Sequence, residues 1–513
     1  MHGWRLRLFR LIVTAMLVLA PAVASVCAAR ALVPAVDRRV EIEDEAVVDA
    51  ATLVQPALLS GPGFRVDPHV QLRGYMAHFT LDTAFGPLPA DSVEILAERE
   101  AELPALEALD KVTRSDVFLR AAGNKLVATG KTIGNIVMHP VDTVLGIPAG
   151  VARYFGARLH KLGTQAQALS DRTARTLGQS GNPYPADKGP MTDARNDDPG
   201  HEAKPKKHWY TRIGSEAERE IKRQLAYNQV KRELAHRLGI DPYTSNPYAQ
   251  ERLSSLAWVG SGGNFSAGAA LGTIGGVGAT VLANGTRVND IVWKLSPEDL
   301  RERNGKRLLA YCRNHLLIRQ FLRRGAFSPT LQTSLIEALD QLRPADGGDA
   351  LLELGMTANS ELEGRFLVNA LHLTVAHLGT RANNGTLQPI GAGLAYVTMD
   401  GELVLPLPVD QLSWTHEVRD FLDRPEFRHA KKTVLIGGNA SRSVRRALSA
   451  RGWNVIVRAP RPGAPPYAQS DEPVPIELDD PARAGNAAAL LPLFSSLPVD
   501  VVSMQRDMPR SKE

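Results

Sequence analysis

Hydrophobic residues recur every three or four positions along most of this 513-residue chain, which is the spacing of amphipathic helices. Several helices also carry start and stop signals, with Ser or Asn before Pro at the start and Gly at the end. Residues 31–90 have Pro, Gly and short extended runs, so they are predicted to be irregular. The pattern predicts helices near residues 92–109, 112–126, 215–238, 247–258, 301–324, 328–342 and 360–378.

The periodicity changes near residue 390, where short apolar runs replace the helical spacing. Two of these runs flank Asp400 and Gly401, and Asp-Gly favours the tight turn of a β-hairpin. Residues 433–436, 441–450 and 454–457 then predict a strand, a helix and a second strand. The predicted fold class is therefore mainly α, with helical N-terminal and central regions and a small α/β (hairpin plus strand–helix–strand) C-terminal subdomain.

Composition divides the chain into six regions. The first has a basic start, a short apolar stretch and small residues at candidate cleavage positions, as in a bacterial export signal. Two others are rich in Pro, Gly and charged residues, which bury too little apolar area to offset the entropy of ordering. The predicted boundaries are 1–29 for the signal peptide, 30–178 for a mostly helical N-terminal region, 179–207 for a disordered linker, 208–385 for a central helical domain, 386–460 for the α/β subdomain and 461–513 for a largely disordered tail.

An uncharged segment, residues 259–283, lies in the central domain and has eight Gly in 25 positions. Gly268, Gly272 and Gly276 stand four apart, so on a helix they form one stripe that allows close helix packing. Three interpretations stay open: a buried helix or hairpin, an element that associates with a membrane or a second copy, and a single bilayer span. A second apolar segment with spaced Gly, residues 133–163, suggests that the two segments pack on each other.

A dense basic stretch follows the uncharged segment. Residues 301–324 carry eight Arg or Lys against one Glu, with Leu, Tyr and Phe interleaved as an apolar stripe. Such a helix either packs by its apolar stripe with Arg in solvent, or lies on an anionic membrane surface. Nucleic acid is not expected as a partner, because an exported protein rarely meets it and the net charge of +5 is modest for this length.

Two places offer candidate chemistry. Gly437 and Gly438 stand at the turn between the predicted strand and helix, where helix N–H groups and Arg442 would contact an anion or other ligand. This is a weak pattern, because the full dinucleotide-binding fingerprint is absent. His139 beside Asp142 is either an acid–base pair or part of a helix start.

Other chemical signatures are missing. The sequence has no Walker loop and no GxSxG, HExxH or CxxC motif. His372 and His377 are five apart, which does not place both on one metal-facing edge of a helix. Asp410 follows Pro-Val, as Asp142 and Asp500 do, and the recurrence suggests helix starts. No catalytic residue, metal ligand set or cofactor is predicted.

Two classes of function fit these patterns. The favoured one is an exported bacterial envelope protein without enzymatic activity, which acts through helix packing with a membrane, a protein partner or a second copy of itself. The alternative is a periplasmic hydrolase or small-ligand-binding protein, with its site in the C-terminal unit or beside His139. The expected location is the periplasm or cell envelope.

Overall fold

The computed structural model describes residues 42–44, 46–122, 151, 215–261, 286–382, 384–391, 393–469 and 473–476. All of them fall within the unit that spans residues 42–513. The export signal, the 179–207 linker, His139 with Asp142, and Gly268, Gly272 and Gly276 lie outside the described residues.

A six-stranded antiparallel sheet forms the N-terminal part. Its longest strand, β5, pairs with three others, and the first strand is followed by the short helix α1 (Ala50–Leu53). The β4–β5 turn is tight, with positive φ at both Gly74 and Tyr75. The strands are β1 (Val47–Asp49), β2 (Ser60–Gly61), β3 (Phe64–Val66), β4 (His69–Arg73), β5 (Met76–Thr83) and β6 (Gly86–Ala90).

This sheet shows that the prediction of a mainly α fold with a helical N-terminal region is wrong. The described residues are 51% helix and 19% strand, with several multi-stranded sheets. Residues 31–90 were expected to be irregular because five of the six strands are five residues or shorter, too short for alternation to stand out. β6 also contains two Pro and one Gly, which indicate a loop when seen in sequence alone.

Among the residues that the structure describes, the helices that come next are α2 (Val93–Thr113), α3 (Asp116–Ala122), α4 (Ser215–Leu238) and α5 (Pro247–Ser261). Ser92 caps α2 by accepting a hydrogen bond from the Ile95 amide, and the Asn246 side chain caps α5 in the same way. Leu96 and Leu106 of α2 and Leu253 of α5 lie fully buried in the core that these helices share with the sheet. The caps and the apolar face together position the N-terminal end of α2.

The central layer contains α6 (Thr286–Lys294), α7 (Pro297–Leu308), α8 (His315–Phe321), α9 (Pro329–Leu342), α10 (Gly348–Met356) and α11 (Glu361–Leu378). The single basic helix predicted over 301–324 is in fact two helices. Asn314 caps α8 by accepting from the Leu317 amide, and the Asp349 carboxylate accepts the amides of Arg313 and Asn314. These bonds satisfy the backbone at the break, which lies where α7 and α8 pack together.

The C-terminal part is a mixed five-stranded sheet in the order β13-β11-β9-β8-β7, against which α11 packs. β8 and β9 pair antiparallel across the Asp400–Gly401 turn, and Gly401 has φ +80°. β9, β11 and β13 are parallel, and a separate short parallel pair joins β10 to β12. The elements are β7 (Thr386–Ile390), β8 (Gly393–Val397), β9 (Leu403–Leu407), β10 (Gln411–Leu412), α12 (His416–Leu422), β11 (Lys432–Ile436), β12 (Asn439–Ala440), α13 (Arg442–Ala450) and β13 (Asn454–Ile456).

After β13 the chain returns to the N-terminal sheet. Tyr467 forms a β-bridge with Val54, and Pro475 forms one with Val48 of β1. The Ala468 amide also donates to the Leu53 carbonyl at 2.9 Å. Residues 461–469 and 473–476, within the tail that was expected to be largely disordered, therefore form an ordered strap, a name used below for these residues.

The described chain stops at the end of α5 and resumes at α6, so most of the uncharged segment 259–283 lies between them, outside the described residues. The helix predicted to end at Trp258 continues to Ser261. Among the residues that the structure describes, no helix combines the length and the apolar character required to cross a bilayer.

Candidate functional site

A small polar cleft lies where α2, α11, the loop after β9 and the strap meet. Its lining includes Glu94, Arg365, Asp410, Arg461 and Tyr467, which come from all three parts of the chain. The space open to the centres of water molecules is about 30 Å³. That volume holds about two water molecules, because each needs on the order of 10–15 Å³.

Glu94, in the first turn of α2, accepts three hydrogen bonds in the cleft. Its Oε2 accepts from Asn369 Nδ2 at 2.6 Å and from Arg461 Nη2 at 2.5 Å, and its Oε1 accepts from Arg365 Nη1 at 3.2 Å. Burial alone would raise the pKa of Glu94, but the charges and hydrogen bonds of Arg461 and Arg365 hold it below its usual range. Glu94 is therefore a buried, ionised acceptor.

Arg365 of α11 bonds to two further carboxylates. Its Nη1 and Nη2 donate to the two oxygens of Glu98 at 2.6 and 2.8 Å, and its Nε donates to Glu361 at 2.8 Å. Burial raises the pKa of Glu98 to about 7, even though the Arg365 charge opposes the rise. One guanidinium is shared by three carboxylates, so we infer that the proton stays on Glu98 up to near-neutral pH.

Asp410 lies between β9 and β10 and joins the C-terminal sheet to the N-terminal one. Its Oδ2 accepts from the amides of Ala77 and Val93 at 3.0 and 3.2 Å, and its Oδ1 accepts from the Tyr467 hydroxyl at 2.8 Å. Burial raises the pKa of Asp410 to about 6 against these three hydrogen bonds. The Pro-Val-Asp pattern suggested that Asp410 starts a helix, but no helix begins at this residue. Its carboxylate instead accepts the Val93 amide at the N-terminus of α2.

His372, one turn along α11 from Asn369, is partly buried. Its Nε2 lies 2.7 Å from the Ser334 hydroxyl of α9, and burial lowers the pKa of the ring to about 4, helped by the Arg461 charge. His377 instead lies near Glu402, at 3.9 Å between Nε2 and Oε1. Across the described ranges, no group of three or more His, Cys, Asp or Glu is placed to hold a metal ion.

Of the three predicted ligand-contact residues, Gly437 alone lines the cleft, and the amides of both glycines bond to the protein's own backbone. The amides of Gly437 and Gly438 donate to the carbonyls of Leu407 and Val409 at 2.9 and 2.8 Å. A Cβ on Gly438 would lie 2.2 Å from the Asp410 carbonyl oxygen, so glycine allows this close approach of two chain segments. Gly437 lines the cleft, whereas Arg442 is the first residue of α13 and is not among the lining residues.

The second feature with functional potential is an exposed apolar surface at the end of the described body where α3 and α5 pack together. Leu119 of α3 is 50% exposed and Trp258 of α5 is 51% exposed, and α3 packs against α5. α3 is the last described helix before the apolar segment 133–163, and α5 leads into the segment 259–283. The two helices that precede the glycine-rich segments therefore meet at one place on the described body.

No protein-family model, curated protein or solved structure matches this chain. Function is therefore inferred from the chain's own residues.

Proposed function

We propose that the chain is an exported envelope protein without enzymatic activity, which attaches to a membrane surface at the end where α3 meets α5. The observation that carries the proposal is the exposure of Leu119 and Trp258 on these two packed helices. Indole and leucine side chains are the kind that enter the boundary between headgroups and acyl chains. The basic, apolar start of the sequence supports export.

The glycine-rich segments supply the rest of the attachment. Burying one Leu or aromatic side chain contributes about 1.5–3 kcal/mol, so Leu119 and Trp258 alone would give weak attachment. The uncharged segment 259–283 continues directly from α5 with no charge in 25 positions. Its small residues, with Gly268, Gly272 and Gly276 four apart, also suit close packing against the 133–163 segment.

The cleft supports a role without catalysis. Glu94, Arg365, Asp410 and Arg461 make hydrogen bonds or ion pairs to one another or to neighbouring groups of the protein. The space among them holds about two waters, which is too small for most substrates. Such a network is typical of a junction that fixes the relative positions of its elements.

Vesicle binding of the mature chain tests the proposal. We expect Trp258→Ala and Leu119→Ala each to lower the fraction bound to vesicles about tenfold, because each removes apolar area that would be buried in the bilayer. Met399→Ala is the matched control, since Met399 is 77% exposed on the β8–β9 turn and is expected to leave binding unchanged. In cells, we expect release from the envelope by carbonate or high-salt washing.

Two outcomes would overturn the proposal. One is recovery of the chain in the soluble fraction without washing, together with no vesicle binding in vitro. The other is vesicle binding that falls equally in the Met399→Ala control. A dimer that dissociates on substitution of Trp258, without vesicle binding, would point to a second copy as the occupant of this end.

A small-ligand-binding or hydrolytic role is the second candidate. It is favoured by one observation, that the Asp410 carboxyl, with its pKa raised by burial to about 6, lines a cleft beside the Tyr467 hydroxyl. An acid of that pKa could give a proton at neutral pH. The test is a hydrolase screen with esters, amides and glycosides. Activity abolished by Asp410→Asn, with the fold retained, would support this role.

A further inference from the structure

The strap is held over the cleft by two side chains that bond to different acids. Arg461 Nη2 donates to Glu94 of α2 at 2.5 Å, and the Tyr467 hydroxyl donates to Asp410 at 2.8 Å. Both strap residues belong to the lining of the cleft, as do two of the residues between them. The strap therefore forms one wall of the cleft, and movement of Tyr467 away from Asp410 would open it.

The first of these two contacts keeps its charges at ordinary pH. Burial alone would raise the pKa of Glu94, but the charges of Arg461 and Arg365 hold it below its usual range. Gly463 follows Arg461 by two residues and has φ +71°, in the left-handed region that favours glycine. The chain can therefore turn at Gly463 while Arg461 stays bound to Glu94.

The second contact involves a carboxylate whose partners carry no charge. Asp410 is only 2% exposed, and within the described chain it accepts hydrogen bonds from the Ala77 and Val93 amides and the Tyr467 hydroxyl. An ionised carboxylate in this position has lost its water, and neutral donors replace that hydration only in part. Burial accordingly raises the pKa of Asp410 from its usual 3.8 to about 6.

Protonation lets Asp410 stay buried with all of its contacts. A proton on Oδ1 can be donated to the Tyr467 hydroxyl oxygen, while Oδ2 continues to accept the two amides. When this proton is lost, water can restore the hydration of the carboxylate only if the strap moves away. The charge of Glu94 acts in the same direction as burial, because it also raises the pKa of Asp410.

The other ionisable groups of the cleft keep their charge state between pH 5 and pH 8. These groups are Glu94 of α2, Arg365 of α11, and Arg461 and Tyr467 of the strap. Burial raises the pKa of the Tyr467 phenol well above its usual value, so the hydroxyl keeps its proton. Glu98 bonds to Arg365 from outside the lining, and burial raises its pKa to about 7, so a test must separate its titration from that of Asp410.

We propose that the strap is a proton-sensitive latch, which stays closed over the cleft while Asp410 is protonated and releases at Tyr467 when Asp410 is ionised. Arg461 remains bound to Glu94 in both states, so the release is confined to the residues that follow Gly463. The closed strap binds the Asp410 proton more tightly than the released strap does. Closure is therefore favoured at low pH and is lost as the pH rises through about 6. The latch does not depend on the membrane attachment at α3 and α5, because it involves other elements.

Limited digestion of the full mature chain with chymotrypsin tests the latch. The enzyme cuts after tyrosine, and the closed strap protects the bond between Tyr467 and Ala468, since the Ala468 amide donates to the Leu53 carbonyl. Cleavage at this bond is followed by mass spectrometry. Its rate, divided by the rate for a free peptide of residues 461–476, reports the released fraction at each pH. We expect a rise of about tenfold from pH 5 to pH 7, because the pKa of Asp410 is about 6 when the strap is closed and returns toward 3.8 on release.

Three variants separate Asp410 from the other groups. Asp410→Asn imitates the protonated acid at every pH, so its normalised rate should change less than about twofold between pH 5 and pH 7. Asp420→Asn is the matched control, because this carboxylate of α12 is 68% exposed and its loss should leave the wild-type rise unchanged. Tyr467→Phe keeps a cleavage site, tested against the matching peptide, and removes the hydroxyl that bonds to Asp410, so it should be cut about fivefold faster at pH 5.

Three results would overturn the proposal. The first is a normalised rate of the wild type that does not rise between pH 5 and pH 7. The second is a rise in Asp410→Asn, shown to be folded by circular dichroism, equal to that of the wild type, which would assign the pH dependence to Glu98. The third is a Tyr467→Phe chain that is cut no faster than the wild type at pH 5, a result that does not depend on how Asp410→Asn folds.

Discussion

At the scale of single residues, the ion pairs of Arg365 compensate for the negative charge of carboxylates in the protein interior. Its side chain is only 9% exposed, and it bonds to Glu94, Glu98 and Glu361. Buried carboxylates are tolerated only when a positive charge or donor groups compensate for their lost hydration. Two of the three acids belong to α2 and one to α11, so this single guanidinium also fastens the N-terminal layer to the central one.

Arg365→Met tests this dependence. The substitution leaves Glu94, which is buried, and Glu98 and Glu361, which are partly buried, without their shared cation. We therefore expect unfolding in urea at pH 7 to show a loss of about 3–5 kcal/mol. The loss should shrink at pH 5, because the carboxylates then take up protons. Arg381→Met is the matched control, since Arg381 is 54% exposed in its pair with Glu402 and should cost less than about 1 kcal/mol. Equal losses in the two variants would contradict the role of Arg365.

A second residue-scale prediction concerns pH. The pKa of Glu98 is about 7 in the folded chain and about 4.5 when unfolded, so the folded state binds the proton more tightly. The stability contributed by this proton is complete below about pH 4.5 and is lost as pH rises toward 7. A glutamine at position 98 stays neutral at every pH. The free energy of unfolding of Glu98→Gln, relative to that of the wild type, should therefore rise by on the order of 2–3 kcal/mol between pH 5 and 8. Urea unfolding of both chains across this range checks it, and parallel pH curves would refute it.

At the scale of elements, helices were easier to predict than strands. α9 and α11 have Ser caps at Ser328 and Ser360 and apolar spacing over several turns, so local sequence specifies them. The strands of the N-terminal sheet are short, and what stabilises them is pairing with partners elsewhere in the chain. The strap is harder still to predict, because its Pro-rich composition indicates disorder. Its order depends on the hydrogen bonds of Arg461 and Tyr467 to distant carboxylates, which the sequence does not show.

The same limit applies to the cleft. Arg461 and Glu94 bond to each other although they are 367 positions apart, and Asp410 meets the Ala77 amide across 333 positions. Each is one charged residue in an ordinary stretch, and no local motif joins them. The Gly437–Gly438 pair was the one visible sign, because close backbone approach requires glycine there. This close approach positions the Asp410 carboxyl, but the sequence alone does not show that the two segments meet.

Truncation tests the strap as an element. Ending the chain after residue 460 removes the Arg461–Glu94 and Tyr467–Asp410 hydrogen bonds and both β-bridges to the N-terminal sheet. We expect a loss of about 3–5 kcal/mol in urea unfolding, because Glu94 and Asp410 stay buried with fewer donors. Ending the chain after residue 476 is the matched control, because it keeps all of these contacts. If the two truncations are equally stable, the strap does not support the fold.

At the scale of the whole molecule, buried polar networks join the N-terminal sheet and α2 to the central helices and to the C-terminal sheet. Besides Arg365 and Asp410, Glu102 of α2 accepts from Asn246 Nδ2 at 2.8 Å, next to the start of α5. Networks of this kind fix one arrangement of layers, since a shifted arrangement would leave several buried groups without partners. We therefore expect the three parts to open together rather than one at a time.

Hydrogen–deuterium exchange of Glu94→Gln tests this coupling. A glutamine at position 94 weakens the bonds to Arg365 and Arg461 together, so exchange should rise in α2, α11 and residues 461–469, although the change lies in α2 alone. Glu302→Gln is the matched control, because Glu302 pairs only with the exposed Lys306 on its own helix among the contacts of the described residues, and faster exchange should stay within α7. If the rise in Glu94→Gln is confined to α2, the layers open independently, and the polar junction positions side chains without coupling the stability of the three parts.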